Sequence, residues 1–343
     1  MADRIVTPKQ LDTLLKQIFV AAGTPEDIAH CVSAVLVDSN LKGVDSHGAI
    51  RVTKYVNEIF SGWIKPTARP EIIKETPSTA IVKGNVGFGI YTLNYAMNLA
   101  IQKAKGNQIA AVGLIESTHT GRLGWFVERA VEQGMMGIII GGGAHKTPSV
   151  APYGGKSRIV ATNPWTIGFP GGKFGPVVVD ISTSASAEGK LQVYRAKKEA
   201  VPAGWIQDQN GNPTTNVEDF YAGGALLPAG GHKGYGLAII AELLGYALLG
   251  EVHAVNWFIL AIDISAFRHP PEFVLAAEDF LSQVKNVPPA SGFKEVLIPG
   301  ELELRFANQR EKQGIPISDE IWQQMKATAQ RVGVDAEASQ DTV

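Results

Sequence analysis

Asp45-Ser46-His47-Gly48-Ala49-Ile50-Arg51, with Tyr55 four residues further on, sets a proton-transfer group beside a clamp for a carboxylate. Imidazole titrates near neutral pH and can pass a proton in either direction, while a guanidinium holds a carboxylate through two parallel hydrogen bonds. Helical residues four apart share a face, so Arg51 and Tyr55 would point the same way. A plain capped turn with a surface histidine would have the same composition. His119 stands in Glu116-Ser117-Thr118-His119-Thr120-Gly121, between an expected strand and an expected helix, where α/β proteins place ligand sites. A solvent-facing turn histidine is the alternative there. His145 closes a Gly-rich strand end, and His30, His253 and His269 have no polar neighbours that suggest a task, so these are read as structural.

A second set suits an anion. Gly230 to Gly236 read GGHKGYG and run into LAIIAELLGYALLG, so unhindered backbone N–H groups and the Lys233 cation open an apolar helix. Helix N-termini with glycines and a lysine make a phosphate cradle, although a Gly-rich turn that only starts a buried helix looks alike. Ala161-Thr162-Asn163-Pro164 and Val179-Asp180-Ile181-Ser182-Thr183-Ser184 add an acid for a ribose hydroxyl and hydroxyl donors for phosphate, unless Asp180 or a serine is simply a helix cap. No G-x-G-x-x-G fingerprint is present, which argues against an ordinary Rossmann domain; Walker A, H-E-x-x-H, nucleophile-elbow and Cys/His zinc patterns are missing too.

The elements that must position these groups follow from periodicity and caps. Thr7-Pro8-Lys9-Gln10 and Thr24-Pro25-Glu26-Asp27 start two helices, the second stopping near Gly43, and a third should begin around Gly48 and end at Ser61-Gly62. Short β-rich segments at 71–75, 79–84, 109–117, 137–141 and 177–180 then alternate with helical stretches at 90–105, 121–133 and 184–199, the pattern of α/β architecture. A strand at 256–265, a Pro-started helix from Pro270, and a final amphipathic helix capped by Ser318 complete the chain, with a frayed tail from Glu337.

At 343 residues, two or three lobes are expected. Hydrophobic residues at 45% and charged ones at 19% fit a well-buried enzyme, and a net charge of −2 provides no global field for nucleic acid or anionic lipid. Cys31 is the only cysteine, which excludes an internal disulfide or a thiolate metal cluster and suits a reducing cytoplasm. MADRIVTPKQ lacks the pattern of a signal peptide, and the apolar run from Gly234 to Gly250 carries Glu242 and is shorter than the ~20 residues of a membrane span.

In sequence order, DSHGAIR, ESTHTG, ATNP, VVVDISTS, GWIQDQNGNPTT (204–215) and LLPAGGHKGYG make the chain resemble, nearly end to end, the type 2 malate/L-lactate dehydrogenase family, which also includes ureidoglycolate and sulfolactate dehydrogenases, a diketogulonate reductase and a cyclic-imine reductase. The resemblance implies an α/β, non-Rossmann nicotinamide-binding fold with a mixed sheet: an N-terminal helical domain (1–75, joined by a C-terminal helix 310–343), a central sheet domain for dimerisation (76–115 and 255–309) and a cofactor domain (116–254). It implies His47 and His119 as catalytic, and Ser46, Arg51, Tyr55, Thr162 and Asn163 at the substrate. Gly143, Asp180, Ile181, Ser182, His232, Lys233, Gly234, Pro299, Gly300 and Glu301 would contact the cofactor, with no metal.

The expected activity is hydride transfer between NAD or NADP, with NAD favoured, and a small 2-hydroxy or 2-keto acid, in a cytoplasmic homodimer. A reductase of a diketo acid or cyclic imine, a metal-dependent hydrolase or lyase built on His47, His119 and His145, and a silent cofactor-binding protein are the alternatives. The chain departs from the family's usual asparagine at Glu116 and aromatic residue at Thr120. A carboxylate near the site would disfavour a second anionic group on the substrate, which makes malate a poorer expectation.

Overall fold

The computed structural model describes residues 3–337. Thr7 caps the Pro8–Ala21 helix through a capping box with Gln10, as its sequence predicts. That helix packs Leu11, Leu14, Leu15, Ile18 and Phe19 against Ile28, Val32, Val35 and Leu36 of the Glu26–Leu41 helix, each such side chain contributing roughly 1.5–3 kcal/mol on burial. The second helix start differs from expectation. Pro25 occupies the cap position, so the Thr24 hydroxyl stands one residue too early to reach the first free N–H groups and has no partner among the described residues; Glu26 and Asp27 serve that end electrostatically.

The third helix runs Arg51–Phe60 and not from Gly48. Asp45–His47 form a 3₁₀ turn, and the backbone bends at Gly48, where a Cβ would lie 2.2 Å from Asn40 Oδ1. Ala49 N–H donates to that same oxygen at 2.7 Å, so Asn40 ties the turn to the helix before it.

Seven strands form one mixed sheet in the spatial order Glu71–Glu75, Thr79–Lys83, Ile109–Ser117, Val255–Asp263, Met135–Gly142, Trp165–Pro170, Pro176–Ile181. All neighbours are antiparallel except Thr79–Lys83 with Ile109–Ser117, whose parallel pairing is made possible by the crossover helix Gly89–Asn107. The Val255–Asp263 strand, remote in sequence, inserts at the centre, pairing Phe258 with both Gly113 and Ile140. Trp165–Pro170 is a strand that the sequence reading passed over, because Pro164, Gly168 and Pro170 read as punctuation. Its prolines sit at the margins of the pairing, where a missing N–H costs least.

The first helices and the sheet share one continuous core from Val6 to Ala336, and a second, smaller core gathers Val150, Val160, Leu191, Val201, Ile206, Phe220 and Leu226 around a three-stranded sheet. The expected helix 310–343 is corrected. Glu301–Gln313 ends at Gly314, at φ 87°, then Ile315–Ile317 pairs with Arg4–Val6, and a separate helix, Asp319–Arg331, begins at the Ser318 cap. Of the tail expected to fray, Glu337 pairs with Arg4 and Lys326; the rest lies outside the described residues.

Gly89 opens the crossover helix against the His119 loop. Its N–H donates to Thr118 Oγ1 at 2.8 Å, and a Cβ there would stand 2.2 Å from the Thr118 carbonyl oxygen and 2.6 Å from that of His119. Gly89→Ala is expected to destabilise the fold by about 3 kcal/mol or more, the upper range of overpacking. Gly106→Ala, on the same helix with open space around it, should stabilise by roughly 0.5–1 kcal/mol. Urea midpoints of the two variants check the contrast, and equal midpoints would refute the close approach.

Candidate active site

The Asp45–His47 turn is pinned from two sides: the Asp45 carboxylate accepts from Asn40 Nδ2 at 2.7 Å and from Arg310 Nη1 at 2.7 Å. Its two neighbours then settle the imidazoles. Ser46 Oγ lies 3.0 Å from His47 Nδ1, and the hydroxyl of fully buried Tyr55 lies 2.7 Å from His119 Nδ1. With each Nδ1 occupied, Nε2 is the nitrogen left for a ligand. The two rings stack with centroids 5.6 Å apart and planes 20° from parallel. Burial, then the charges of Arg51 and Arg122, hold His47 down at about 4. Burial, Arg51 and His47 itself hold His119 well below the usual histidine range. Both rings are therefore neutral at pH 7 and able to take a proton. Burial also pushes the Tyr55 phenol up, so it stays protonated.

Arg51 sends Nε to the Ser46 carbonyl at 2.6 Å and lies near enough for its charge to be felt by His47, His119 and Tyr55. Ser46, Arg51 and Tyr55 do not line the cavity: Ser46 is exposed, Arg51 half-buried and Tyr55 buried. The cavity itself, about 370 Å³, has His47, His119, Thr120 and Arg122 on one side and Asn163, Asp180, Ile181 and Ser182 on the other. Thr162 is in the wall as well. Its carbonyl accepts from Ser182 Oγ at 3.0 Å and from Thr183 N at 2.9 Å, which locks the two wall segments together.

Asp180, one residue before the end of the Pro176–Ile181 strand, lines the cavity. Its oxygens accept from Gly124 N, at the start of the Gly124–Glu132 helix, and from Thr166 Oγ1, both at 2.8 Å. Burial pushes its carboxyl up against the opposing pull of those bonds. Asn163, at φ 33°, donates Nδ2 to Glu242 Oε1 at 2.7 Å, and its Oδ1 has no partner among the described residues. Glu242 also meets His145 Nδ1 at 3.1 Å. Neither His145 nor Glu242 had an assigned place in the sequence reading of the cofactor or substrate site.

Thr183 links the wall to the glycine turn. Its carbonyl accepts from Ala229 N at 2.9 Å, and a Cβ on Gly234 would fall 2.5 Å from that carbonyl and 2.4 Å from Ala229 O, so only glycine lets the His232–Glu242 helix start nest here. His232 and Lys233 are exposed on that turn. Gly230 and Gly231 border a second cavity, about 500 Å³, with Tyr153, Lys156 and Gln207. Gly143, at φ 82°, follows the Met135–Gly142 strand and packs on Val252 beside the wall, not in it. Pro299 accepts from Val178 N at 3.1 Å, and Gly300 lies against the same strand. The Glu301 carboxylate is already held by Lys285 and the Ile298 N–H. These last three residues line neither cavity.

Two expectations change. Glu116 pairs with Lys83 at 3.3 Å and does not line the cavity, so its repulsion of a second substrate anion loses its basis. His145 is engaged with Glu242 apart from the stacked histidines, and among the described residues no group of three or more His, Cys, Asp or Glu side chains could hold a metal, which leaves the hydrolase alternative without support. Sequence reasoning misses Arg122, whose only signal is a lone arginine between the His119 loop and the apolar run Leu123-Gly124-Trp125-Phe126.

A model of the malate/L-lactate dehydrogenase family matches residues 6–326. Malate dehydrogenase of Pyrococcus abyssi is 36% identical over 344 residues, covering 95% of this chain and 94% of that protein. L-sulfolactate dehydrogenase of Methanothermobacter thermautotrophicus is 35% identical, covering 97% and 98%. The solved sulfolactate dehydrogenase of Methanocaldococcus jannaschii superposes with a TM-score of 0.90 at 34% identity, covering 98% of this chain and 99% of that one.

Proposed function

Because the chain belongs to the malate/L-lactate dehydrogenase family, we propose that the 370 Å³ cavity is where it moves a hydride between a nicotinamide cofactor and the carbon bearing a hydroxyl, or its ketone, next to a carboxylate. The observation that carries this is the pair of stacked, neutral imidazoles, each secured at Nδ1, facing a wall that ends in Asp180. Bound there, nicotinamide supplies or accepts the hydride. The chain's own groups do the rest. His47 removes the hydroxyl proton or returns one to the carbonyl oxygen, with His119 in support; Arg51, braced on Ser46, does not line the cavity but stands near enough for its charge to act on both imidazoles, and it holds the carboxylate of the bound acid.

Asp180, Ile181 and Ser182 are on the wall, and Thr183 ties them to the His232-Lys233-Gly234 helix start. A dinucleotide needs sites for rings, riboses and phosphates over several loops, and the two cavities with the glycine turn between them fit that demand. A sheet with a single parallel pair supports a non-Rossmann cofactor fold. NAD is preferred over NADP here because each cavity has only one Lys or Arg among its described lining residues. The exposed Phe267, Leu275, Phe280 and Phe293 support a homodimer. No helix among the described residues is long and apolar enough to cross a membrane; the lone thiol Cys31 suits the cytoplasm.

A screen of pyruvate, oxaloacetate, 3-sulfopyruvate and a cyclic imine carboxylate with NADH and NADPH tests the reading: oxidation of the cofactor with at least one 2-keto acid is expected, before and after chelator treatment. Cofactor binding without oxidation across the panel, or activity abolished by the chelator, would contradict it.

The low His47 pKa has a visible consequence. Oxidation of a hydroxy acid needs the neutral ring, which persists above about 4 in the free enzyme. The rate constant kcat/KM for oxidation should therefore not fall between pH 8 and roughly 5 on account of this group. An acidic limb centred near the ordinary histidine value of ~6.5 would show the ring to be far less shielded.

A further inference from the structure

Asn163 stands in the cavity wall next to Thr162, whose carbonyl holds Ser182 and Thr183, and it is 2% exposed. The two ends of its amide are told apart by what faces them. Nδ2 lies 2.7 Å from Glu242 Oε1 and 3.5 Å from the Gly141 carbonyl oxygen, and a carboxylate and a carbonyl only accept, so the nitrogen is the end turned toward them. Oδ1 is then the other end, a buried acceptor with no partner among the described residues. A buried carbonyl without a donor is costly, which marks the position for a ligand N–H. Glu242 is brought to this point by the His232–Glu242 helix, which lies flush on the end of the neighbouring strand: a Cβ on Gly142 would fall 1.7 Å from the Ala241 carbonyl oxygen. Its Oε2 meets His145 Nδ1 at 3.1 Å, and the Tyr246 ring packs edge-on to that imidazole with centroids 4.6 Å apart. The carboxylate is thus engaged at both oxygens. In the same wall the Trp257 indole, 4% exposed and paired with Gly141 across the strands, has an Nε1–H without a partner among the described residues. Two side chains that meet at Gly141 therefore carry one unfilled acceptor and one unfilled donor.

We propose that Glu242 is a positioning residue for the cofactor: it holds the Asn163 amide with Oδ1 as the free end, and that oxygen accepts an N–H of the nicotinamide carboxamide. This rests on the hydride-transfer reading above and moves Asn163 from the substrate to the cofactor. A primary carboxamide offers N–H groups and a carbonyl oxygen on neighbouring atoms in one plane, the complement of what Asn163 and Trp257 leave open. The hydroxyl of the acid is committed elsewhere, to His47 on the facing side of the cavity. Such a bond fixes the rotation of the nicotinamide ring about its ribose, and so the face it offers for hydride transfer.

The test compares binding of the preferred reduced cofactor with that of its 3-acetylpyridine analogue, which has a methyl in place of the carboxamide nitrogen and its hydrogens. Filling a buried, unpaired acceptor corresponds to roughly a fivefold to hundredfold preference, so calorimetric titration of the wild type should give a dissociation constant at least about fivefold lower for the carboxamide. Asn163→Gly, which suits the backbone at φ 33°, and Glu242→Leu, which removes the lock on the amide, should each bring the ratio near one. Glu242→Gln can still accept from Asn163 Nδ2 but can also turn its own amide, and should give an intermediate ratio. A general loosening of the cavity would weaken both dinucleotides alike and leave the ratio as it was. A wild-type ratio near one, or a ratio that survives in Asn163→Gly and Glu242→Leu, would overturn the assignment. Should those two variants not fold, the wild-type ratio and Glu242→Gln decide, and a ratio unchanged by Glu242→Gln would then overturn it. Failure of the hydride-transfer reading looks different: no 2-keto acid would be reduced with either cofactor, whatever the binding ratio.

Discussion

Replacing His47 with alanine is expected to lower kcat by about 10²–10⁴-fold, the usual weight of a positioned proton-transfer group, while leaving the affinity for reduced cofactor nearly unchanged. The separation follows from where the groups sit. His47 is on the 3₁₀ turn held by Asn40 and Arg310, whereas the residues proposed for the cofactor belong to the Pro176–Ile181 strand end and the glycine turn, joined to each other through Thr183. Removing the imidazole deletes no contact among the latter. Steady-state kinetics with a 2-keto acid and a direct calorimetric titration with NADH or NADPH measure the two quantities independently. Equal losses in both would place His47 in the cofactor site and not at the reacting oxygen.

Arg51→Lys should raise KM for a 2-keto acid by roughly tenfold to a hundredfold, with a smaller change in kcat. A guanidinium can keep Nε on the Ser46 carbonyl, at 2.6 Å, and still present its two terminal nitrogens to a carboxylate. An ammonium cannot do both, and bidentate charged hydrogen bonds lose roughly 1.5–3 kcal/mol when broken. Because lysine preserves the charge that helps to keep both histidines neutral, their proton chemistry should change little. The ratio of KM to kcat effects is the readout, and an unchanged KM would remove Arg51 from the substrate site.

The features legible in the sequence are local. The Thr7 capping box, the Ser318 cap, the strand at Ile109–Ser117 and the glycine-opened helix at His232 all depend on neighbours within a few residues, and each lies where composition puts it. The pairing of His119 with Tyr55, 64 positions apart, was not legible from spacing, although both residues had been singled out. Long-range pairing hid more. Val255–Asp263 is recognisable as a strand, but nothing in its composition says that it separates Ile109–Ser117 from Met135–Gly142. Glu116 looked like a charge in the site because it precedes His119 by three residues, and its pairing with Lys83 comes from the parallel strand beside it. Arg122 escaped notice for the same reason. Its partner Asp38 comes from the Glu26–Leu41 helix, 84 positions earlier, and only the packed fold turns a lone arginine into part of a wall.

A structure of the protein with reduced cofactor and oxamate, an unreactive mimic of a 2-keto acid, is the most direct test of the central claim. The expected result has the nicotinamide against Asp180–Ser182, with the oxamate carbonyl oxygen within hydrogen-bond reach of His47 or His119 and its carboxylate on Arg51. A nicotinamide seated away from the cavity that holds both histidines, or oxamate bound without contact to either ring, would contradict it.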